Sequence, residues 1–265
     1  MRTIFRNTIG RLWVAVLGWG LGLGVLAGYL APFYDIFVVD AQGFVQYMEL
    51  FPPELLAFFG GNTVSLSDPI GFLSIEFFSY MPVVLGFFAV VACTGLIAAD
   101  EEAGILDLLL AHPVTRLKFF LGRLLAFMVA LFAINLLMWL AFVIMVPTTS
   151  LGLDSLTLAY PFLNLYAILL LFGMVSLLLS LLLSSRNLAT TLGSVFLIAS
   201  YFLSSLANLD ERLKTAAKFS PMNYYQSGDA LRDMNWAWFF GLMGISLLLV
   251  LISLWRFEKK DIRIN

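Results

Sequence analysis

Six apolar runs, each about twenty residues or longer, decide what this chain can fold into. They fall at about 12–33, 72–99, 119–147, 158–184, 187–208 and 236–256. About 20 consecutive apolar residues are needed for a helix to cross a hydrocarbon layer ~30 Å thick. In lipid the backbone must satisfy its own polar groups, so a run of this kind is a helix. The expected fold class is an all-α integral membrane protein of six transmembrane helices, forming one transmembrane domain over 1–265. Only 12% of the residues are charged, about half the share of an ordinary globular domain. Two runs exceed 27 residues, which implies tilt or helix continuing beyond the lipid. Cys93, alone of its type, lies inside a run, which excludes a disulfide framework and a cysteine metal cluster. A net charge of −2 gives no basis for a nucleic-acid partner.

Lysine and arginine set the expected orientation. One side holds Arg2, Arg6, Arg11, Arg116, Lys118, Arg123, Arg186, Arg256, Lys259, Lys260 and Arg263, eleven in all. The other holds four, Arg212, Lys214, Lys218 and Arg232, in one loop. Both termini are therefore expected in the cytosol. Loop 209–235 mixes four bases with four acids; if 187–208 did not cross, the last helix would be inverted. The basic start followed by an apolar run longer than a signal core reads as a retained first helix.

Short amphipathic elements frame these spans. Within 1–11, Ile4, Phe5 and Ile9 share a side, joined by Leu12, and Arg2, Arg6 and Asn7 oppose them. This predicts a short interfacial elbow helix before the chain turns into the membrane. In the external loop 34–71, FPPELLAFFGGN predicts a short helix opened by Pro52-Pro53 and closed by Gly60-Gly61. Phe51, Leu55, Phe58 and Phe59 would press into the outer interface. Residues 209–219 predict a second short helix, stopped before Pro221. Tyr224, Tyr225, Trp236 and Trp238 predict an aromatic belt.

Within the spans, the first carries Gly18, Gly20, Gly22, Gly24 and Gly28, and four-residue spacing joins 18/22, 20/24 and 24/28. Small residues let membrane helices approach closely. Gly18, Gly22, Gly24 and Gly28 could therefore line a dimer seam, or could serve packing within one subunit. Ser176, Ser180 and Ser184 form a similar stripe with the same two readings. Charges are almost absent from the spans, which argues against an ion-driven carrier with intramembrane relays.

Catalytic motifs fail. No glycine precedes a lysine, so there is no phosphate-binding P-loop. His112 is the single histidine, which excludes a histidine zinc site and a Ser-His-Asp triad. LIAADEE at 96–102 imitates a magnesium-binding strand but has no P-loop to serve. The chain is not expected to be an enzyme by itself, and no cofactor or metal is expected in it.

The charged segment 100–118, DEEAGILDLLLAHPVTRLK, is more elaborate than a connecting loop requires. Asp100, Glu101 and Glu102 would begin a helix, at the dipole end that favours acids. Ile105, Leu106, Leu108, Leu109 and Leu110 would give its apolar face, and Pro113 would break it. Thr115 would N-cap the next helix, with Arg116, Lys118 and Arg123 anchoring it at the inner surface. A cytosolic helix so joined to two spans would pass any imposed movement to both.

EEAGILDLLLAHPVTR resembles the cytosolic motif of type-2 ATP-binding-cassette (ABC) permeases, E-E-x-G-T-L-x-x-L-L-x-x-P-V-S/T-R. The matches are Glu101, Glu102, Gly104, Leu106, Leu109, Leu110, Pro113, Val114, Thr115 and Arg116, while Ile105 replaces the usual threonine or serine. The WGLGLG stretch within the first span, GFL before the second and SPMNYY before the last are supportive. The resemblance implies a coupling helix that docks on a separate ATPase, with Glu101, Glu102, Gly104, Asp107 and Arg116 at the contact. It also implies two ABC ATPase subunits that bind ATP and magnesium, and a second permease subunit, identical or different. Efflux of a hydrophobic or amphiphilic drug, lipid or peptide across a bacterial or archaeal cell membrane follows from the same resemblance. A secondary transporter and a non-transport membrane scaffold are the rival classes.

Overall fold

A computed structural model describes residues 1–39, 52, 54, 58, 68–106 and 115–260, with the side chains of 37–39 left aside. Among the described residues the chain is helical, with no strand. Among the described residues, six helices are long and apolar enough to cross a membrane. They are α1 (Arg2–Val39), α2 (Pro69–Gly95), α3 (Arg116–Met145), α4 (Ala159–Leu182), α5 (Arg186–Leu206) and α6 (Trp236–Lys259). The run at 187–208 thus forms a full-length helix, and the expected order of six spans holds.

α4 is the centre of the bundle. Its most apolar stretch is 72% buried, against 17% for α6. It packs on α2 and α6, with α5 and α3 alongside, whereas α1 lies along α3. The outward faces of α1, α3, α5 and α6 carry exposed Val14, Val25, Phe132, Ile144, Val195, Phe202, Leu247 and Leu251. In an aqueous protein such a surface would be intolerable; here it is the face a bilayer solvates. Inside, Phe77, Phe78, Phe142 and Phe162 form one aromatic knot joining α2, α3 and α4, with centroids 5.1 Å apart for Phe77–Phe142 and 5.2 Å for Phe78–Phe162.

α2 is not a simple helix. Asp68 caps it, accepting from the Gly71 amide at 3.3 Å, and Pro69 takes the first position. A π-turn follows over Ser74–Phe78, and the regular helix restarts at Met81–Gly95. π-turns rotate the face a helix presents; here the turn brings both Phe77 and Phe78 inward, fully buried.

The elbow helix over 1–11 does not form as a separate element. α1 runs 38 residues without a break, about 57 Å at 1.5 Å per residue. No proline or cap stands near residue 12, and Gly10 weakens a helix without removing a hydrogen bond. Its first turns keep the expected sidedness. Ile4, Ile9 and Leu12 pack against the core, while Arg2, Arg6 and Asn7 are exposed and Phe5 is half-buried. Ile4 and the Met1 carbonyl sit close over Gly122 of α3, which ties the start of α1 to the start of α3.

Long-range contacts sort the loops into two ends. Residues 11, 100, 102, 116, 123, 186 and 260 meet at one, so both described chain ends lie there. At the other, Asp35 accepts from the Ser150 amide at 2.8 Å and Arg232 pairs with Asp68.

Candidate functional site

At the termini end a single turn of helix, Ala98–Glu102, holds the bundle together through three consecutive acids. Asp100 is 3% exposed. It receives Arg11 of α1 at 3.0 Å and the buried Arg123 of α3. Arg123 also donates to the Leu96 carbonyl, and its guanidinium lies 4.4 Å over the Phe119 ring. Glu101 pairs with Lys260, just past α6, at 2.6 Å, both only 13% exposed. Glu102 accepts the Arg186 backbone amide at 2.7 Å. Ser185, the N-cap of α5, makes no side-chain cap bond, so Glu102 supplies the cap from another helix, with its charge at the favourable dipole end. One turn therefore touches α1, α3, α5 and α6, and it follows directly on α2.

The turn ends where the sequence predicted that a helix would continue. Gly104 has φ +67°. Its amide bonds the Glu101 carbonyl and the Ile105 amide bonds the Asp100 carbonyl, each at 3.0 Å. That is a Schellman stop, which needs a left-handed residue at the position glycine fills. The three acids therefore close a short turn instead of opening a long helix. Leu106, expected on an apolar contact face, is 2% exposed and belongs to the core. Asp107, Leu109, Leu110 and Pro113 lie outside the described residues, as do Leu108 and Val114.

Thr115 caps α3 as expected, accepting from the Lys118 amide at 3.3 Å. Arg116 turns to the end of α6, where its Nη1 lies 3.2, 3.0 and 2.8 Å from the carbonyls of Phe257, Glu258 and Lys260. A cation among the last carbonyls of a helix satisfies both its acceptors and its dipole. By sequence alone, Arg11, Arg123, Arg186 and Lys260 are simply inner-surface charges. Nothing local marks them as partners of the acid triplet, because the pairs are 89, 23, 84 and 159 residues apart.

The glycines of α1 divide by face. A methyl group added at Gly20 would lie 2.5 Å from Leu137, and Gly24 and Gly28 face Leu137, Ala141 and Met145. These three serve the α1–α3 contact, so Gly24 and Gly28 are not on a free seam. Gly18 and Gly22 have nothing within 4 Å. Of the serine stripe, Ser176 and Ser180 of α4 are buried, whereas Ser184 lies past the helix end and is exposed; the Ser176 hydroxyl stands 2.6 Å from where a Gly193 methyl would be.

The opposite end is closed by 207–235. Helical turns Glu211–Leu213 and Lys214–Ala217 stop before Ser220 and Pro221, as the sequence predicted. The Gln226 amide donates to Asn164 of α4 at 2.8 Å, and its side chain exchanges two hydrogen bonds with the Asn235 backbone, at 2.6 and 3.1 Å. Gly228 fits against Ser74 with no room for a methyl group, 2.9 Å from the Ser74 Cα. Tyr224 stacks edge-on against Trp238 at 5.6 Å. Tyr225 departs from the expected belt, donating its hydroxyl to the Phe78 carbonyl at 2.9 Å. Desolvation there raises its pKa well above that of an ordinary phenol. Of the predicted external helix, Pro52, Glu54 and Phe58 are described; Phe58 meets Phe202 at 5.7 Å, while Phe51, Pro53, Leu55, Phe59, Gly60 and Gly61 lie outside the described residues. A cavity of about 500 Å³ lies here, between 201–208, 222–229 and the start of α6.

A family model described as "ABC-2 family transporter protein" matches residues 5–262, nearly the whole chain. No curated protein matches it.

Proposed function

Because the chain belongs to the ABC-2 family of transporter proteins, we propose that it is the membrane-spanning permease subunit of an ATP-driven exporter of hydrophobic or amphiphilic compounds. ATP and magnesium are bound and hydrolysed on two separate ABC ATPase subunits, and a second permease subunit, identical or different, completes the pathway. The termini end faces the cytosol, in line with the sequence's division of its basic residues, eleven on the terminal side against four on the other. Segment 100–118 is the coupling element, and the part between Gly104 and Thr115 docks on the ATPase.

The observation that carries this reading is the clamp at Asp100, Glu101 and Glu102. A push on this segment reaches α2 by chain continuity, α1 and α3 through Asp100, α6 through Glu101 and α5 through Glu102. Buried or half-buried ion pairs with fixed partners transmit displacement instead of absorbing it. Glu101, Glu102 and Arg116 therefore act from inside the permease, relaying motion from the docking surface to the spans. Mechanical coupling of this kind is what a transporter lacking its own nucleotide site requires.

The test is reconstitution with a partner ABC ATPase, expected from the reading frame adjacent to this chain's. Substrate-stimulated hydrolysis and vesicle efflux should both require the permease. Glu101→Lys with Glu102→Lys should leave basal hydrolysis and abolish its stimulation. Efflux driven by an ion gradient without ATPase would sink the proposal.

A further inference from the structure

A second cavity, of about 510 Å³, opens between α1 and α2 at the termini end. Its walls differ sharply along its length. Leu12, Ala15, Trp19, Phe87, Phe88 and Val91 make the membrane-facing part apolar, and Trp19, Phe87 and Val91 are themselves exposed. Toward the termini end the lining also includes three guanidinium groups, Arg11, Arg123 and Arg186. None of the three belongs to the external end, and no carboxylate is among the lining residues.

We propose that this groove binds an anionic phospholipid, its acyl chain along Trp19 and Phe87 and its phosphate between Arg11 and Arg186. Two independent observations support an anion here. Arg123 is 4% exposed, yet its Nε has no hydrogen-bond partner among the described residues. An unmet buried donor is costly unless something polar reaches it. The Arg186 guanidinium lies against Gly95, its Nη2 3.0 Å from where a methyl group would be, and makes no ion pair among the described residues. The nearby acids are committed elsewhere. Asp100 is shared by Arg11 and Arg123, Glu101 goes to Lys260, and Glu102 accepts the backbone of Arg186. Arg11 gives Asp100 one nitrogen and is half exposed, leaving donors for a second acceptor. Guanidinium forks match phosphate oxygens in geometry and charge, and basic pockets between membrane helices suit lipid headgroups. A second copy of this chain seated symmetrically on the groove would bring its own arginines to the same place, like charge against like.

Native mass spectrometry of the purified full chain tests this without ATPase or nucleotide, so the result is independent of the transport reading. Phosphatidylglycerol and phosphatidylcholine with identical acyl chains are the probes. The unmodified protein should bind phosphatidylglycerol at least tenfold more tightly. Arg186→Ala should bring it to the phosphatidylcholine level, because the backbone bond that caps α5 survives the truncation. Ala92→Trp, which fills the groove, should weaken both lipids, and Lys218→Ala at the opposite end should change neither. Equal binding of the two lipids by the unmodified chain overturns the proposal. So does a headgroup preference that survives both Arg186→Ala and Ala92→Trp, or a lipid-free dimer.

Discussion

Asp100→Asn is the most informative perturbation of the clamp. The substitution keeps the shape and one acceptor oxygen but deletes the charge that two arginines share. Arg123 and Asp100 are each 4% exposed in their side chains, so removing one partner strands a buried charge. That costs about 3–5 kcal/mol in comparable sites. The Arg11 arm is 50% exposed and adds less than about 1 kcal/mol. The converse change, Arg123→Leu, leaves Asp100 its bond to Arg11 and should cost less. Arg11→Ala should cost least. The double variant Asp100→Asn/Arg123→Leu removes both buried charges, so neither is left stranded without its partner. It should recover most of the loss, giving a coupling energy of about 2–3 kcal/mol. The assay is equilibrium unfolding in mixed micelles, followed by tryptophan fluorescence. A loss of about 3 kcal/mol lowers the folding constant roughly 150-fold, since each 1.4 kcal/mol is a factor of ten. A coupling energy below about 0.5 kcal/mol, or Arg123→Leu proving the worst of the three, would refute the assignment of Asp100 as the shared anchor.

Other outcomes follow from the same contacts. Gly22→Leu meets open space and should leave the unfolding midpoint unchanged while weakening permease pairing in mild detergent; unaltered pairing would mean that this face meets only lipid. Gly20→Leu drives a side chain into Leu137 and should cost about 1–3 kcal/mol by overpacking, read as an earlier unfolding midpoint. Arg116→Ala frees three carbonyls at the end of α6; hydrogen exchange at 257–260 should rise severalfold, with α4 unaffected. Glu102→Ala should cost about 1 kcal/mol through the lost cap of α5, and Glu102→Gln, which keeps the acceptor, should cost less.

Much of the fold was legible in the chain because its signals are local. Hydropathy over twenty residues determined six spans, and short cap patterns determined Thr115 and the stop before Pro221. The charged run 100–118 was also visible, because it interrupts two apolar spans. The continuity of α1 was less legible, since an amphipathic start looks the same whether or not the helix bends after it. Gly104 could have signalled the early stop after Glu102; a leucine-rich continuation concealed it.

Only tertiary structure decided how helices rotate against one another. Four-residue spacing on α1 says that small residues share a face, but packing on α3 chose Gly20, Gly24 and Gly28 and left Gly18 and Gly22 outside. The acid triplet announced charge, yet its partners on α1, α3, α5 and α6 follow from the azimuth and depth of whole helices. An ion pair acts over a few ångströms in space and is blind to separation along the chain. For that reason the membrane frame can be read along the chain, whereas which charges lock it follows from three-dimensional packing alone.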